Sequence, residues 1–346
     1  MAIAVEHAEL APGYRIPRIV RGGWQLAGGH GEVDRARALA DIGRFVDAGL
    51  DTVDGADIYT GVEALYGEFN AARRTAGLAP LQVHTKCVPD FDDLSKVDEC
   101  YVRRIVLRSL ERLRVERLDL VQFHWWDYRI AGWLEAAQAL AALQREGLIA
   151  HLGGTNFDTP HTEAMLDAGV PLVSMQVQYS LLDRRPEHLL VPLGQRRGLQ
   201  LLCYGTLAGG FFSERWLGAA EPQEFTNRSL VKYKLVIDDF GGWDAFQALL
   251  EALRQIAERH GVTIATVATR WVLDRPGVAA AIVGARYADH LDDTLAVFGL
   301  RLTPGDLALL EPILAARPGP EGDAYTLERD KTGRHGRIMK YNLNKS

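Results

Sequence analysis

The 346 residues carry 39 Lys and Arg against 45 Asp and Glu, a formal net charge of −6, which gives no general attraction to nucleic acid or to an anionic membrane surface. With 47% of its residues hydrophobic the chain can build a large core, yet no segment approaches the ~20 consecutive apolar residues that span a bilayer. Cys87, Cys100 and Cys203 stand at no framework spacing, and the N-terminal stretch holds Glu6 and Glu9 without an apolar run, so the expectation is a cytoplasmic protein in a reducing compartment, with no secretory signal.

Short apolar runs alternate with longer helical patterns along the chain. A first strand is expected at residues 19–23, followed by a helix over 34–48 that opens on Asp34, a good N-cap. Strands at 50–54 and 81–85 come next, then a helix over 95–113 with apolar residues recurring at Val97, Tyr101, Ile105, Leu110 and Leu113. A strand at 118–123 precedes a helix over 134–144 that Gly147 terminates. The remaining strands are expected at 149–153, 172–176, 199–204 and 280–283. The eight runs are apolar throughout rather than alternating, as strands covered on both faces are. Eight strand–helix alternations predict a (β/α)8 TIM barrel, a single domain over 1–346 with its core at about 18–302. The rival doubly wound sheet needs a Gly-x-Gly-x-x-Gly turn after its first strand; Gly22-Gly23-Trp24 and Gly28-Gly29-His30-Gly31 do not fit it.

Two stretches exceed ordinary connections, and long loops inside a domain are often lids or binding loops. One runs from Gly205 to about Trp243 and holds Phe211, Phe212, Trp216 and Phe225. The other is the tail over 317–346. Its Lys331, Arg334, His335, Arg337, Lys340 and Lys345 are read as a solvated charged face; the rival is a segment folded over the barrel mouth, with Tyr325 or Tyr341 touching substrate.

Asp54, Lys86 and His124 fall at the ends of the second, third and fourth strands, and Tyr59 lies in the loop after Asp54. Singly, each has an ordinary explanation: a cap, a solvated lysine, a packed tyrosine, a satisfied core histidine. Gathered at the C-terminal rim of a barrel, they suit delivery of a proton to a carbonyl oxygen. A nearby ammonium is expected to make the Tyr59 phenol more acidic, Asp54 to hold Lys86, and His124 to donate a hydrogen bond to the substrate oxygen. No His-Glu-x-x-His and no Cys-x-x-Cys occurs, and no metal is expected.

From about Arg18 to Leu302 the chain resembles the aldo-keto reductase superfamily. Asp54-Gly-Ala-Asp-Ile-Tyr59 is similar to its Asp-Thr-Ala-Asp-x-Tyr signature, Leu118-Asp-Leu-Val-Gln-Phe-His124 to its strand ending in the active-site His, and Gly147-Leu-Ile-Ala-His-Leu-Gly-Gly-Thr-Asn-Phe157 to its Gly-Lys-Ile-Arg-x-x-Gly-x-Ser-Asn-Phe stretch. The stretch from Val173 to Arg184 resembles the potassium-channel β-subunit branch. The resemblance implies Tyr59 as general acid/base, supported by Asp54, Lys86 and His124, and NADP(H) as cofactor, with NAD(H) as the alternative. It implies Thr155, Asn156 and Gln176 at the carboxamide, Tyr204 stacked on the nicotinamide, and Gly205, Leu207 and Gly209 over the pyrophosphate. Gly284 and Arg286 fall at the adenosine end, where Arg286 suits a 2′-phosphate. There the chain departs from its relatives: His290, Asp293 and Thr294 stand where Gln, Glu and Asn are common, which weakens the expected adenosine contacts. Trp24, Trp125, Trp126 and Tyr128 are expected to line the substrate pocket with residues of the long loop, one of the paired indoles facing in and the other out. The implied activity is NADPH-dependent reduction of aldehydes or ketones on a small-molecule substrate. The alternatives are an NAD(P)-dependent sugar or alcohol dehydrogenase and a redox-sensing regulatory subunit.

Overall fold

The computed structural model describes residues 3–28 and 31–344; Gly29, His30 and Lys345 lie outside the described residues. Eight parallel strands close a barrel: β3 (Ile19–Gly22), β4 (Thr52–Asp54), β5 (Gln82–Cys87), β6 (Leu118–Phe123), β7 (Ile149–Thr155), β8 (Leu172–Gln178), β9 (Gln200–Tyr204) and β10 (Val278–Gly284), which pairs back onto β3. Each coincides with an expected strand, with ends shifted by no more than a few residues. A hairpin of β1 (His7–Ala11) and β2 (Tyr14–Pro17) precedes them. It was not foreseen, although Pro12-Gly13 between the two runs is a turn signal and Gly13 takes φ 75. The hairpin closes the barrel floor, where Tyr14 Oη meets His84 Nε2 at 3.1 Å.

Side-chain alternation along the strands makes layers inside the barrel. Near the floor Leu10, Ile16, Val20, Leu120, Leu202 and Ala280 form an apolar plug. Two residues further along β6, Leu120 gives way to Gln122; His84 on β5 is likewise followed by Lys86, and Thr52 on β4 by Asp54. The polar layer therefore lies at the C-terminal end, under the loops.

The helices wrap the outside. Asp34 caps α1 (Arg35–Asp47) by accepting from the Arg37 N–H at 3.0 Å. The expected helix over 95–113 begins later, as α3 (Glu99–Leu113), because the side chain of Asp98 caps it. Between α1 and α3 lies α2 (Val62–Thr75), and α4 (Trp133–Arg145) follows β6. The long stretch after β9 contains α7 (Arg228–Phe240) ahead of α8 (Gly242–His260). Phe211, Phe212 and Trp216 of this stretch pack among themselves and on α8. Phe211 packs on Trp216, Trp243 and Phe246 with ring centroids 4.9–6.0 Å apart, because those rings bury most area against α8. Among the described residues no helix is long and apolar enough to cross a membrane.

Candidate active site

The ends of β4, β5 and β6 bring the four expected residues to one rim. Lys86 Nζ donates to Asp54 Oδ2 and to the Gly55 carbonyl, both at 2.7 Å, and lies 5.0 Å from the centroid of the Tyr59 ring. The pair is sealed, with side-chain exposures of 6% and 5%. Asp54 Oδ1 accepts from Gln122 Nε2 at 3.0 Å and Gln176 Nε2 at 2.7 Å. Gln122 was not anticipated; its place two residues before His124 on an inward-facing row was the available signal. Trp24, just past β3, packs on Tyr59 with centroids 5.0 Å apart. The preceding Gly23 is required, since a Cβ there would lie 2.8 Å from the Asp54 carbonyl oxygen and 2.5 Å from Tyr66 Oη.

Two expectations about the electrostatics are overturned. The Tyr59 phenol is not made more acidic: burial first, then Asp54 and Asp57, push its pKa above the ordinary tyrosine range. Lys86 is close, 5.0 Å from the ring centroid, but burial and the two carboxylates decide the direction for the resting phenol. His124 is not a donor either. Its Nδ1 lies 3.0 Å from the Thr155 carbonyl, which can only accept, so Nδ1 carries the proton. Burial, then Arg329 and Lys86, hold its pKa down at about 3. Nε2 of this neutral ring is therefore an acceptor, buried and without a protein partner. A long-range ¹H–¹⁵N spectrum should show the Nδ1–H tautomer of His124 unchanged from pH 5 to 8; an imidazolium signal growing in below pH 7 would contradict it.

The cofactor candidates gather at the ends of β7 to β10. Thr155 and Gln176 are register partners. Asn156, in the left-handed region at φ 62, accepts from Tyr204 Oη on Oδ1 at 2.9 Å. Gln176 Nε2 is committed to Asp54 and Gln122, which leaves its Oε1 for a ligand. Gly205 takes φ 77, and a Cβ there would lie 2.4 Å from Tyr233 Oη; Gly209 at φ 66 meets the same ring. Leu207 is half-buried between them. Thr206 Oγ1 and Gln25 Oε1 are buried polar atoms without a protein partner, and the Gln25 side chain lies against Gly284. Arg286 is half-buried after β10, with its carbonyl held by Arg21 Nη2 at 3.0 Å. At the start of α10 (Leu291–Gly299), His290 is 88% exposed beside Asp293, and Thr294 Oγ1 is tied to the His290 carbonyl. The flat Tyr204 face, the remaining amide groups of Asn156 and Gln176, and the orphaned Thr206 hydroxyl fit a nicotinamide dinucleotide. One face of Tyr204 carries the Lys232 ammonium, 4.9 Å from its centroid, so a stacked ring takes the opposite face or displaces Lys232.

The two indoles lie in different surroundings. Trp126 stands edge-on to His124 at 4.4 Å. Trp125 is a correction as a pocket residue: it is fully buried and its Nε1 donates to the Asp127 and Ile130 carbonyls, because consecutive residues leaving a strand point to opposite sides. Tyr128 is also withdrawn from the pocket, stacked on His161 at 3.5 Å with Arg329 3.9 Å from its ring centroid.

The tail is not a solvated face. Tyr325 lies edge-on to His124 at 5.6 Å, and Tyr341 packs on Trp126 at 5.2 Å. Arg185, sealed in the loop after β8, grips Asp183 of the same loop and Glu328 of the tail through paired bonds of 2.7–3.1 Å. Arg329 donates to the Trp125 and Asn156 carbonyls. Lys331 sits on Phe91, and Arg334 and His335 pair with Asp239. Among the described residues Arg334, Arg337 and Lys340 are exposed in the manner expected, although Arg334 is paired. Sequence spacing carried no signal for Arg185–Glu328, since the partners are 143 residues apart.

The fold and this rim of polar residues define a nicotinamide-dependent oxidoreductase of the barrel type. The aldo/keto reductase family model matches residues 18–315, and the chain belongs to that family. It is 25% identical over 328 residues to the NADH-specific methylglyoxal reductase of Escherichia coli, covering 87% of this chain and 95% of that protein. A 179-residue stretch is 32% identical to flagellar radial spoke protein 5 of Chlamydomonas reinhardtii, covering 46% of this chain and only 34% of that protein. The structure of a glycerol dehydrogenase from Gluconobacter oxydans superposes with a TM-score of 0.75 at 25% identity, covering 92% of this chain and 97% of that one. These matches support the family and not specifically its potassium-channel β-subunit branch.

Proposed function

We propose that this chain, acting as one domain, reduces aldehydes or ketones to alcohols with NADPH, and that Tyr59 is the proton donor. The observation that carries the reading is the Tyr59 ring beside the sealed Lys86–Asp54 pair, with His124 Nδ1 turned to the Thr155 carbonyl and its Nε2 open. The cofactor, when bound, supplies hydride to the carbonyl carbon. Tyr59 then gives its proton to the oxygen, and Lys86 stabilises the phenolate left behind. His124 Nε2 accepts from the new hydroxyl and keeps it in place. Thr155, Asn156 and Gln176 orient the carboxamide, and Arg286 presents its fork to a 2′-phosphate. Trp24, Trp126 and Tyr325 form an aromatic wall that suits an aromatic or alicyclic carbonyl. A reducing, cytoplasmic setting agrees with three free cysteines.

The test is turnover of a carbonyl and polyol panel with both cofactors. Carbonyl-dependent oxidation of NADPH should exceed that of NADH at least ~10-fold in kcat/KM, and Arg286→Ala should remove most of that preference. Equal use of both cofactors would reject the role of Arg286. Polyol oxidation without carbonyl reduction would favour the dehydrogenase reading, to which the glycerol dehydrogenase likeness lends support. Cofactor that is bound without turnover would favour a redox-sensing subunit.

A further inference from the structure

Asp57, two residues before Tyr59, is a carboxyl that the proposed chemistry leaves unused. Its side chain is fully enclosed, yet Oδ1 has no protein partner. Oδ2 accepts from the Val88 N–H at 3.4 Å and faces Arg108 Nη2 at 3.5 Å, and the Asn344 side chain also acts on the carboxyl; Oδ1 is the oxygen left open to a proton. A cavity of about 100 Å³ is lined by Asp57, Tyr59, Glu63, Arg112 and Asn344, and reaches Thr60 and Gly61, both exposed. At ~30 Å³ per molecule it holds about three waters.

Charged and titratable groups face Asp57 from every side: Glu63 on α2, Arg108 and Arg112 on α3, Cys87 at the end of β5, Tyr59 in its own loop, and the amide of Asn344 from the tail. Glu63 is committed, with Oε1 accepting from Thr85 Oγ1 at 2.6 Å and Oε2 from Arg112 at 3.2 Å. Burial, then the Glu63 charge, push the Asp57 pKa up to about 8 against the pull of Arg108. Of the groups that face it, Tyr59 and Cys87 are raised above their ordinary ranges, by burial first and in part by the Asp57 charge.

We propose that Asp57 is a relay that returns a proton to Tyr59 between turnovers, through water in this cavity. The inference rests on Tyr59 being the donor. Tyr59 gives its proton to the oxygen of the reduced carbonyl and becomes a phenolate. Asp57 Oδ1–H breaks and its proton passes through water to the phenolate oxygen. The Asp57 carboxylate then takes one proton from solvent at Thr60 and Gly61, so each carbonyl reduced consumes one solvent proton.

The experiment is rapid mixing of the enzyme with NADPH and 4-nitrobenzaldehyde as a probe, followed into the steady state. In Asp57→Asn the first turnover should keep the wild-type rate, because Tyr59 already holds its proton, and later turnovers should slow by about tenfold. The wild-type steady-state rate should fall as pH rises through about 8, and the variant should be flat from pH 7 to 9. Arg108→Met, at a half-exposed position, provides a check that leaves Asp57 in place: losing that cation should move the fall to higher pH by about half a unit or more. Asp57→Asn with wild-type later turnovers and the same fall, or Arg108→Met with the fall unmoved, overturns the relay. Should Tyr59→Phe still reduce the probe, the donor assignment fails first; with Tyr59→Phe inactive and those results, the relay alone fails.

Discussion

Tyr59→Phe should lower carbonyl reduction about a thousandfold while NADPH affinity stays within about twofold of wild type. The substitution removes one hydroxyl and keeps the ring that packs on Trp24 at 5.0 Å, so the wall beside the site is preserved. Lys86 and Asp54 remain bonded to each other, since neither depends on the phenol. What disappears is the proton donor. His124 does not replace it, because its proton is on Nδ1, directed at Thr155, and its Nε2 can only accept. Proton delivery then falls to water, which is poorly placed and weakly acidic. Stopped-flow hydride transfer measures the loss, and quenching of tryptophan fluorescence by cofactor measures the affinity. Turnover within tenfold of wild type would reject Tyr59 as the donor.

Most of the barrel was legible because each strand is covered on both faces and reads as an uninterrupted apolar run between helical patterns. The site was legible for a related reason. Asp54, Lys86 and His124 all fall at strand ends, and strand ends on one side of a closed parallel barrel must meet. What local pattern did not carry was the identity of distant partners. Lys86 reads as a cation near a phenol, but the resting acidity of Tyr59 is set by burial and by Asp54 and Asp57, and burial is not written in local spacing. The protonated nitrogen of His124 is decided by the Thr155 carbonyl on the next strand. The tail looked solvated because its basic residues cluster within one short segment, whereas its anchors, Arg185 with Glu328 and Asp239 with Arg334 and His335, lie 95–143 residues apart. Trp125 and Trp126 have the same local chemistry; only the path of the chain past Phe123 sends one inward to the helices and the other to His124.

Lys86→Met carries the second large effect, and it separates stability from chemistry. Among the described residues the ammonium is the one cation bonded to Asp54, a carboxylate also served by the amides of Gln122 and Gln176. Deleting it strands a buried charge and leaves the Gly55 carbonyl without its donor, at a cost of about 3–5 kcal/mol. Removing both charges in Asp54→Asn/Lys86→Met should recover most of that loss, since the uncompensated carboxylate is what destabilises the single variant. Activity should not return with it. As the Tyr59 proton leaves, negative charge grows on the phenol oxygen, and the Lys86 ammonium stands 5.0 Å from the centroid of that ring. Without it, reduction should be slower by about a hundredfold in the single and double variants alike. Chemical denaturation gives the stability arm and single-turnover kinetics gives the other. Recovery of reduction together with stability in the double variant would make the pair a structural brace and remove Lys86 from the chemistry.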